Sequence, residues 1–152
     1  MQPAQEPFMR FLPHVTVATI IEHEGRFLMV EEYRDGRLVL NQPAGHVEED
    51  ESLIQAARRE VLEETAYSVE LTSVVGIYLF KADNGVSYHR SCFAGKVLQH
   101  YPERKLDEGI LRAVWLSLDE LRQRRDDLRS YLVLDCIEDY LKKPHYSLDL
   151  IR

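Results

Sequence analysis

The stretch GHVEEDESLIQAARREVLEETAY, Gly45 to Tyr67, constrains this chain more than any other. Its second half reads as an amphipathic helix from about Leu53 to Thr65, entered through Asp50, Glu51 and Ser52. Helical residues advance by about 100° each, so with Leu53 at zero, Ala57 falls at about 40°, Val61 at about 80° and Ile54 at about 100°. That is the apolar stripe. Glu64 falls inside it at about 20°, with Glu60 and Glu63 just beside it at about 340° and 280°. Three carboxylates therefore border the face that must be buried, where an unpaired charge is expensive. Glu60 and Glu64 are a like-charge i,i+4 pair, costing a few tenths of a kcal/mol. Glu63 and Glu64 also sit at the negative end of the helix dipole, unfavourable by ~0.3–1 kcal/mol. A Glu-rich surface helix laced with salt bridges is the plain alternative, but several local rules broken at one place point to function. A divalent cation supplies the missing charge, and hard oxygen donors suit Mg²⁺ or Mn²⁺.

The rest of the chain reads as a frame for that helix. Its 152 residues are one domain's worth. The first twelve, rich in Pro and Gln, read as a loose arm. HVTVATIIEHEGRFLMVEEY reads as two strands around a Gly-containing turn, and Asp35-Gly36 turns the chain again into RLVL. NQPAGHVEEDE, with Pro43 and Gly45, is expected as a loop. After the helix, VELTSVVGIYLF and VSYHRSCFAGKVL are strands joined at KADNG, and QHYPERKLDEG is a polar loop. ILRAVWLSL is a short strand that buries Trp115. Ser117 and Glu120, three apart, mark a capping box, and a last helix is predicted over Asp127 to Leu141, ahead of Pro144. The fold class is α/β: a mixed sheet with helices on both faces.

The formal net charge of -7 argues against passive binding to nucleic acid or to an anionic membrane. A phosphorylated small molecule stays open, because a bound cation reverses the local sign. Cys92 and Cys136 form no CxxC and read as buried free thiols, and no signal peptide is evident; a cytoplasmic protein is expected.

Read in register, Gly45, Glu51, Arg59, Glu60, Val61, Glu63 and Glu64 resemble the Nudix box, G-x5-E-x7-R-E-U-x-E-E-x-G-U with U aliphatic. A chance match to its six fixed positions here is on the order of 10⁻⁵ per chain. The last glycine is replaced by Ala66 and the last aliphatic residue by Tyr67. PHVTVA, NQPAGH, AVWLSLDEL and the LRSYLV and YSLDLI segments extend the likeness to NudJ-type members of the family. The resemblance implies a Nudix fold, an α/β/α sandwich. It also implies Mg²⁺-dependent hydrolysis of phosphoanhydrides in nucleoside tri- and diphosphates or hydroxymethylpyrimidine pyrophosphate, a thiamine intermediate. A monomer acting on a small pyrophosphate or nucleotide is expected.

On that resemblance Glu60, Glu64 and Glu63 are metal ligands, with the carbonyl of Ala44 as a further one. Arg59 and Glu51 form a positioning pair, and Glu60 or an acid outside the helix is the general base. Asp107 and Glu108 lie where many Nudix enzymes carry an extra acid; a solvated loop is an equal reading. Glu108 is taken as substrate-binding, with Arg90, Gly45, His46 and Asn41. Gln42 flanks the same loop, and Arg129 and Ser130 are weaker candidates. His14 reads more readily as structural. Alternatives are a nucleotide-sugar or dinucleoside polyphosphate pyrophosphohydrolase, or a catalytically silent ligand-binding domain. Silent domains typically lose box acids, and this chain keeps all of them.

Overall fold

The computed structural model describes residues 10–152. Most of the arm expected over 1–12 thus lies outside the described residues. Seven strands form one mixed sheet: β1 (His14–His23), β2 (Arg26–Arg34), β3 (Arg37–Asn41), β4 (Ala44–His46), β5 (Tyr67–Lys81), β6 (Ser87–His100) and β7 (Ile110–Ser117). The order is β3-β2-β1-β6-β5, with β4 added to β1 and β7 to β2. Among these seven strands of the described residues, only β1 and β6 pair in parallel. Among the described residues three α-helices complete it: α1 (Leu53–Thr65), α2 (Leu118–Gln123) and α3 (Leu132–Lys142). No helix among the described residues is long and apolar enough to cross a membrane.

The apolar run of β1 is continuous because the strand is buried on both faces. Val17 and Ile21 pack with Ala56, Ala57 and Val61 of α1 and with Phe93 of β6. Ala18 and Ile20 face the other way, into a core closed by Leu132, Val133, Cys136 and Ile137 of α3. The turns at Glu24-Gly25 and Asp35-Gly36 have positive φ at both central residues, the mirror-image geometry that matches strand twist.

Two elements differ from the sequence expectation. NQPAGH is not all loop: Ala44–His46 pairs antiparallel with Thr16–Ala18, extended by Thr19 N–H to the Pro43 carbonyl and Val47 N–H to the Val15 carbonyl. Three residues beside Pro and Gly carry no readable alternation, and the vacant edge of β1 supplies the ladder. The last helix starts at Leu132, not Asp127. Arg125–Asp127 is a single 3-10 turn, and Leu128 then bridges to Leu40 of β3, with Arg129 N–H donating to the Leu40 carbonyl at 2.8 Å. Pairing with the sheet competes with helix formation there and sets Arg129 and Ser130 beside the cleft described below.

Candidate active site

α1 begins at a capping box. The Ser52 hydroxyl accepts from Gln55 N–H, and the Gln55 side chain accepts from Ser52 N–H. The helix ends at Ala66, which takes a left-handed conformation at φ 61° and donates its N–H to the Leu62 carbonyl. Glycine adopts that conformation more cheaply, yet alanine makes the turn. Tyr67 goes directly into β5, and its ring stacks on His100 across β6.

Arg59 organises the acids around it. Its Nε donates to Glu51 Oε2 at 2.6 Å and its Nη2 to Glu51 Oε1 at 2.9 Å, a two-pronged pair. Nη1 donates to Glu60 Oε1 at 2.8 Å and to Glu63 Oε2 at 3.1 Å, and Nη2 reaches the His46 carbonyl at 3.0 Å. One guanidinium thus ties β4, the loop before α1 and two box acids together. Hydrogen bonding from Arg59 holds the Glu51 carboxyl below its ordinary range, and Glu51 in turn holds the guanidinium protonated.

Carboxylate oxygens of Glu60, Glu63 and Asp107 lie within 4.8 Å of one another. Asp107 arrives from the loop between β6 and β7, which closes over the C-terminal end of α1. Its N–H donates to the Glu63 carbonyl at 3.0 Å, and Tyr101 N–H donates to the Ala66 carbonyl at 2.8 Å. Carbonyls left unpaired by the helix end find partners in the loop. Glu108 is exposed and outside this group, so the loop acid brought to the box is Asp107, its neighbour. Gly45 lies against Glu60: a Cβ there would overlap the Glu60 carboxyl. Burial, opposed by Arg59, raises the Glu60 carboxyl above its ordinary value. Glu64 is deeper, 9% exposed, and accepts from Ala44 N–H at 2.8 Å. Burial, aided by Glu60, Glu32 and Asp107, pushes it up to about 9.

Beside Gly45 opens a cleft of about 130 Å³ lined by Thr16, Asn41, His46, Tyr88, Arg90 and Arg129 among others. His14 and His46 share a hydrogen bond at 2.8 Å, so the two histidines pair rather than stand alone. Arg90, 5% exposed, has no carboxylate partner among the described residues. Its Nη1 reaches Gln42 Oε1 at 3.3 Å and its guanidinium lies 6.0 Å from the Phe80 ring centre, while its Nε has no hydrogen-bond partner. Asn41 Oδ1 is likewise buried and unpartnered. A buried cation and an idle acceptor in one cleft are set for a polar anionic guest.

The NUDIX domain model matches residues 10–135. The chain belongs to the NUDIX family. It is 39% identical over 141 residues to the phosphatase NudJ of Escherichia coli strain K12, covering 93% of this chain and 92% of that protein. A NUDIX hydrolase from Nitrosomonas europaea, 48% identical, superposes with a TM-score of 0.91 over 93% of this chain and 97% of its own. A MutT NUDIX hydrolase from Burkholderia pseudomallei shares the fold at 21% identity, with a TM-score of 0.71 over 85% of this chain and 98% of its own.

In this Nudix hydrolase the donor set fits a divalent cation: three mutually close carboxylates, a glycine that leaves them room, and a buried Glu64 with no ion-pair partner among the described residues. Sequence reasoning missed Glu32. It lies on β2, 8% exposed, where its charge acts on Glu64. Glu31 beside it is also buried, paired with Arg112 at 2.8 Å and Arg124 at 3.1 Å. A bulge between the two acids shifts their pairing with β7, and consecutive strand glutamates gave no sign that both are buried.

Glu64 yields a pH-dependent prediction for the metal-free protein. Its folded value of about 9 exceeds the ordinary 4.5, so the folded state holds a proton that the unfolded chain has lost. Stability therefore falls as pH rises through that window. Glu64→Gln removes the penalty while keeping an oxygen for Ala44 N–H. In EDTA the variant is expected to be more stable than wild type by at least about 1 kcal/mol at pH 8, with no gain near pH 4. Urea titrations at both pH values check this; a variant less stable at pH 8 refutes it.

Proposed function

We propose that this enzyme is a Mg²⁺-dependent phosphatase of small pyrophosphates, removing the terminal phosphate of nucleoside tri- and diphosphates or of hydroxymethylpyrimidine pyrophosphate. One observation carries the reading: the Glu60, Glu63 and Asp107 cluster lies next to a cleft holding a buried, unpaired Arg90. Glu60, Glu63 and Glu64 would hold the cation, with Asp107 and the Ala44 carbonyl as further donors. When bound, Mg²⁺ neutralises the diphosphate and acidifies water for in-line attack. Arg59 aims Glu60 and Glu63 and is itself held by Glu51. Arg90 offers its guanidinium charge to the phosphate oxygens, and Asn41 and His46 border the same space. Water attacks the terminal phosphorus, its proton passes to Glu60 or Glu63, and the bridging oxygen leaves with the remainder of the substrate. The likeness to phosphatase NudJ supports terminal cleavage. Two unbridged buried thiols, Cys92 and Cys136, fit a reducing cytoplasm.

The test is turnover in ¹⁸O-labelled water of metal-stripped protein, over nucleotides, nucleotide sugars and hydroxymethylpyrimidine pyrophosphate. No turnover is expected in EDTA, and Mg²⁺ or Mn²⁺ should restore it with label in orthophosphate. Full turnover in EDTA refutes the metal assignment. Label in a nucleoside monophosphate, released with pyrophosphate, makes the protein a pyrophosphohydrolase.

A further inference from the structure

A second, larger recess of about 750 Å³ adjoins the cleft. Arg34, Phe80, Ala82, Arg129 and Ser130 line both. Its walls carry four cations, Arg34, Arg37, Lys81 and Arg129, against two acids, Asp35 and Asp83. This excess of positive charge stands out on a chain of net charge -7. Arg37, Lys81 and Arg129 form no ion pair among the described residues. They come from three separate elements: the start of β3, the end of β5 and the segment before α3. The Arg129 backbone is pinned to Leu40, so this side chain starts from a fixed point. The aromatic wall is Phe80, stacked on Tyr88 at 5.4 Å and met edge-on by Tyr131 at 6.4 Å. Tyr131 is 63% exposed and immediately precedes α3, an eleven-residue helix whose N-terminus adds positive potential at the rim.

We propose that this recess binds the leaving nucleotide of a nucleoside triphosphate, its phosphates on Arg37 and Arg129 and its base on Phe80 and Tyr131. The assignment rests on the phosphatase reading and deepens it. Cations alone suit any anion, but cations beside an exposed aromatic face suit a planar base carrying phosphate. Gly45 and His46 line the cleft but not the recess, so a substrate whose terminal phosphate lies by Gly45 would extend its departing part into the recess. Hydroxymethylpyrimidine pyrophosphate is shorter and would not engage it.

The experiment is calorimetric titration of the intact protein in EDTA with a nucleoside diphosphate, the product of terminal cleavage. Wild type, Arg37→Ala, Arg37→Ala/Arg129→Ala, Tyr131→Ala and Arg26→Ala, a charge control paired with Glu120, are compared. The double variant is expected to bind at least ~10-fold more weakly and Arg37→Ala about threefold more weakly, as lost charge-assisted hydrogen bonds require. Tyr131→Ala should also weaken binding, and Arg26→Ala should leave it unchanged. In turnover with Mg²⁺ Arg37→Ala, which alters the recess and not the cleft, should raise KM for the triphosphate about threefold at nearly unchanged kcat, with KM for hydroxymethylpyrimidine pyrophosphate unmoved. Undiminished diphosphate binding in Arg37→Ala and the double variant overturns the proposal, as does an equal loss in Arg26→Ala or an equal KM rise for both substrates. Because the titration needs no hydrolysis, it still judges the recess if wild type proves inactive on every pyrophosphate. Arg37 is exposed, so the single variant carries the test if the double variant fails to fold.

Discussion

Glu60→Gln is expected to lower kcat with Mg²⁺ by at least ~10²-fold, because an effective metal site contributes several kcal/mol to the transition state. Glu60 is where the lines of the site cross. Its carboxylate belongs to the group with Glu63 and Asp107, accepts from Arg59 Nη1 at 2.8 Å, and fills the space a side chain at Gly45 would take. Glutamine keeps that shape and an oxygen for Arg59 but removes the ligand charge. It also relieves repulsion from Glu63 and Asp107, which add to burial in raising the Glu60 carboxyl. Two measurements check this: steady-state turnover, and Mn²⁺ affinity by electron paramagnetic resonance. Turnover and affinity should fall together while the melting temperature in EDTA holds or rises. A variant retaining more than a tenth of wild-type kcat would remove Glu60 from the metal site.

Arg59→Ala is expected to damage stability and activity at once. It strips hydrogen bonds from Glu51, Glu60, Glu63 and the His46 carbonyl. Glu51 and Glu60 side chains are only 13% and 11% exposed, so carboxylates are left with little water to replace the guanidinium. Removing one partner of a fully buried pair costs ~3–5 kcal/mol; Arg59 keeps 20% exposure, so about 2–3 kcal/mol is expected. For a chain of this length that lowers the melting temperature by roughly 5–10 °C. The pH dependence has a definite sign. Glu51 is held below its ordinary range, so the stability it gains from Arg59 is present at neutral pH and lost as pH falls through the folded value. The gap between wild type and variant should therefore close in acid. Arg59→Lys keeps the charge but not the two-pronged geometry and should recover only part of the loss. Lost activity with unchanged melting temperature and metal affinity would mean that Arg59 acts on substrate instead.

Much of this site could be read from the chain because helical periodicity is local. The placement of Glu60, Glu63 and Glu64 around the Leu53, Ala57 and Val61 stripe needs only about 100° per residue. In the structure Glu60 and Glu64 are both 9% exposed. The hairpin turns were equally legible, since Glu24-Gly25 and Asp35-Gly36 carry their conformational preference within two residues. Ser117 shows where local reasoning stops: its hydroxyl caps Glu120 N–H, but the Glu120 side chain pairs with Arg26 rather than closing the box.

By itself, then, the sequence determined the identity of α1, the register of its acids and the apolar run that buries β1, because each depends on residues within a few positions of one another. The tertiary structure alone decided which loop acid joins them. Asp107 and Glu108 are chemically equivalent neighbours, and the bond from Asp107 N–H to the Glu63 carbonyl selects one. It alone made a strand of Ala44–His46, since the ladder is supplied by β1 from a distance in sequence. It alone delayed α3 to Leu132, because Leu128 N–H closes the 3-10 turn on the Arg125 carbonyl and Arg129 N–H goes to Leu40 of β3 instead of into a helix. That choice places Arg129 in the wall shared by the cleft and the basic recess. Backbone groups must find partners somewhere, and which distant partner they find is a property of the assembled sheet, not of the segment.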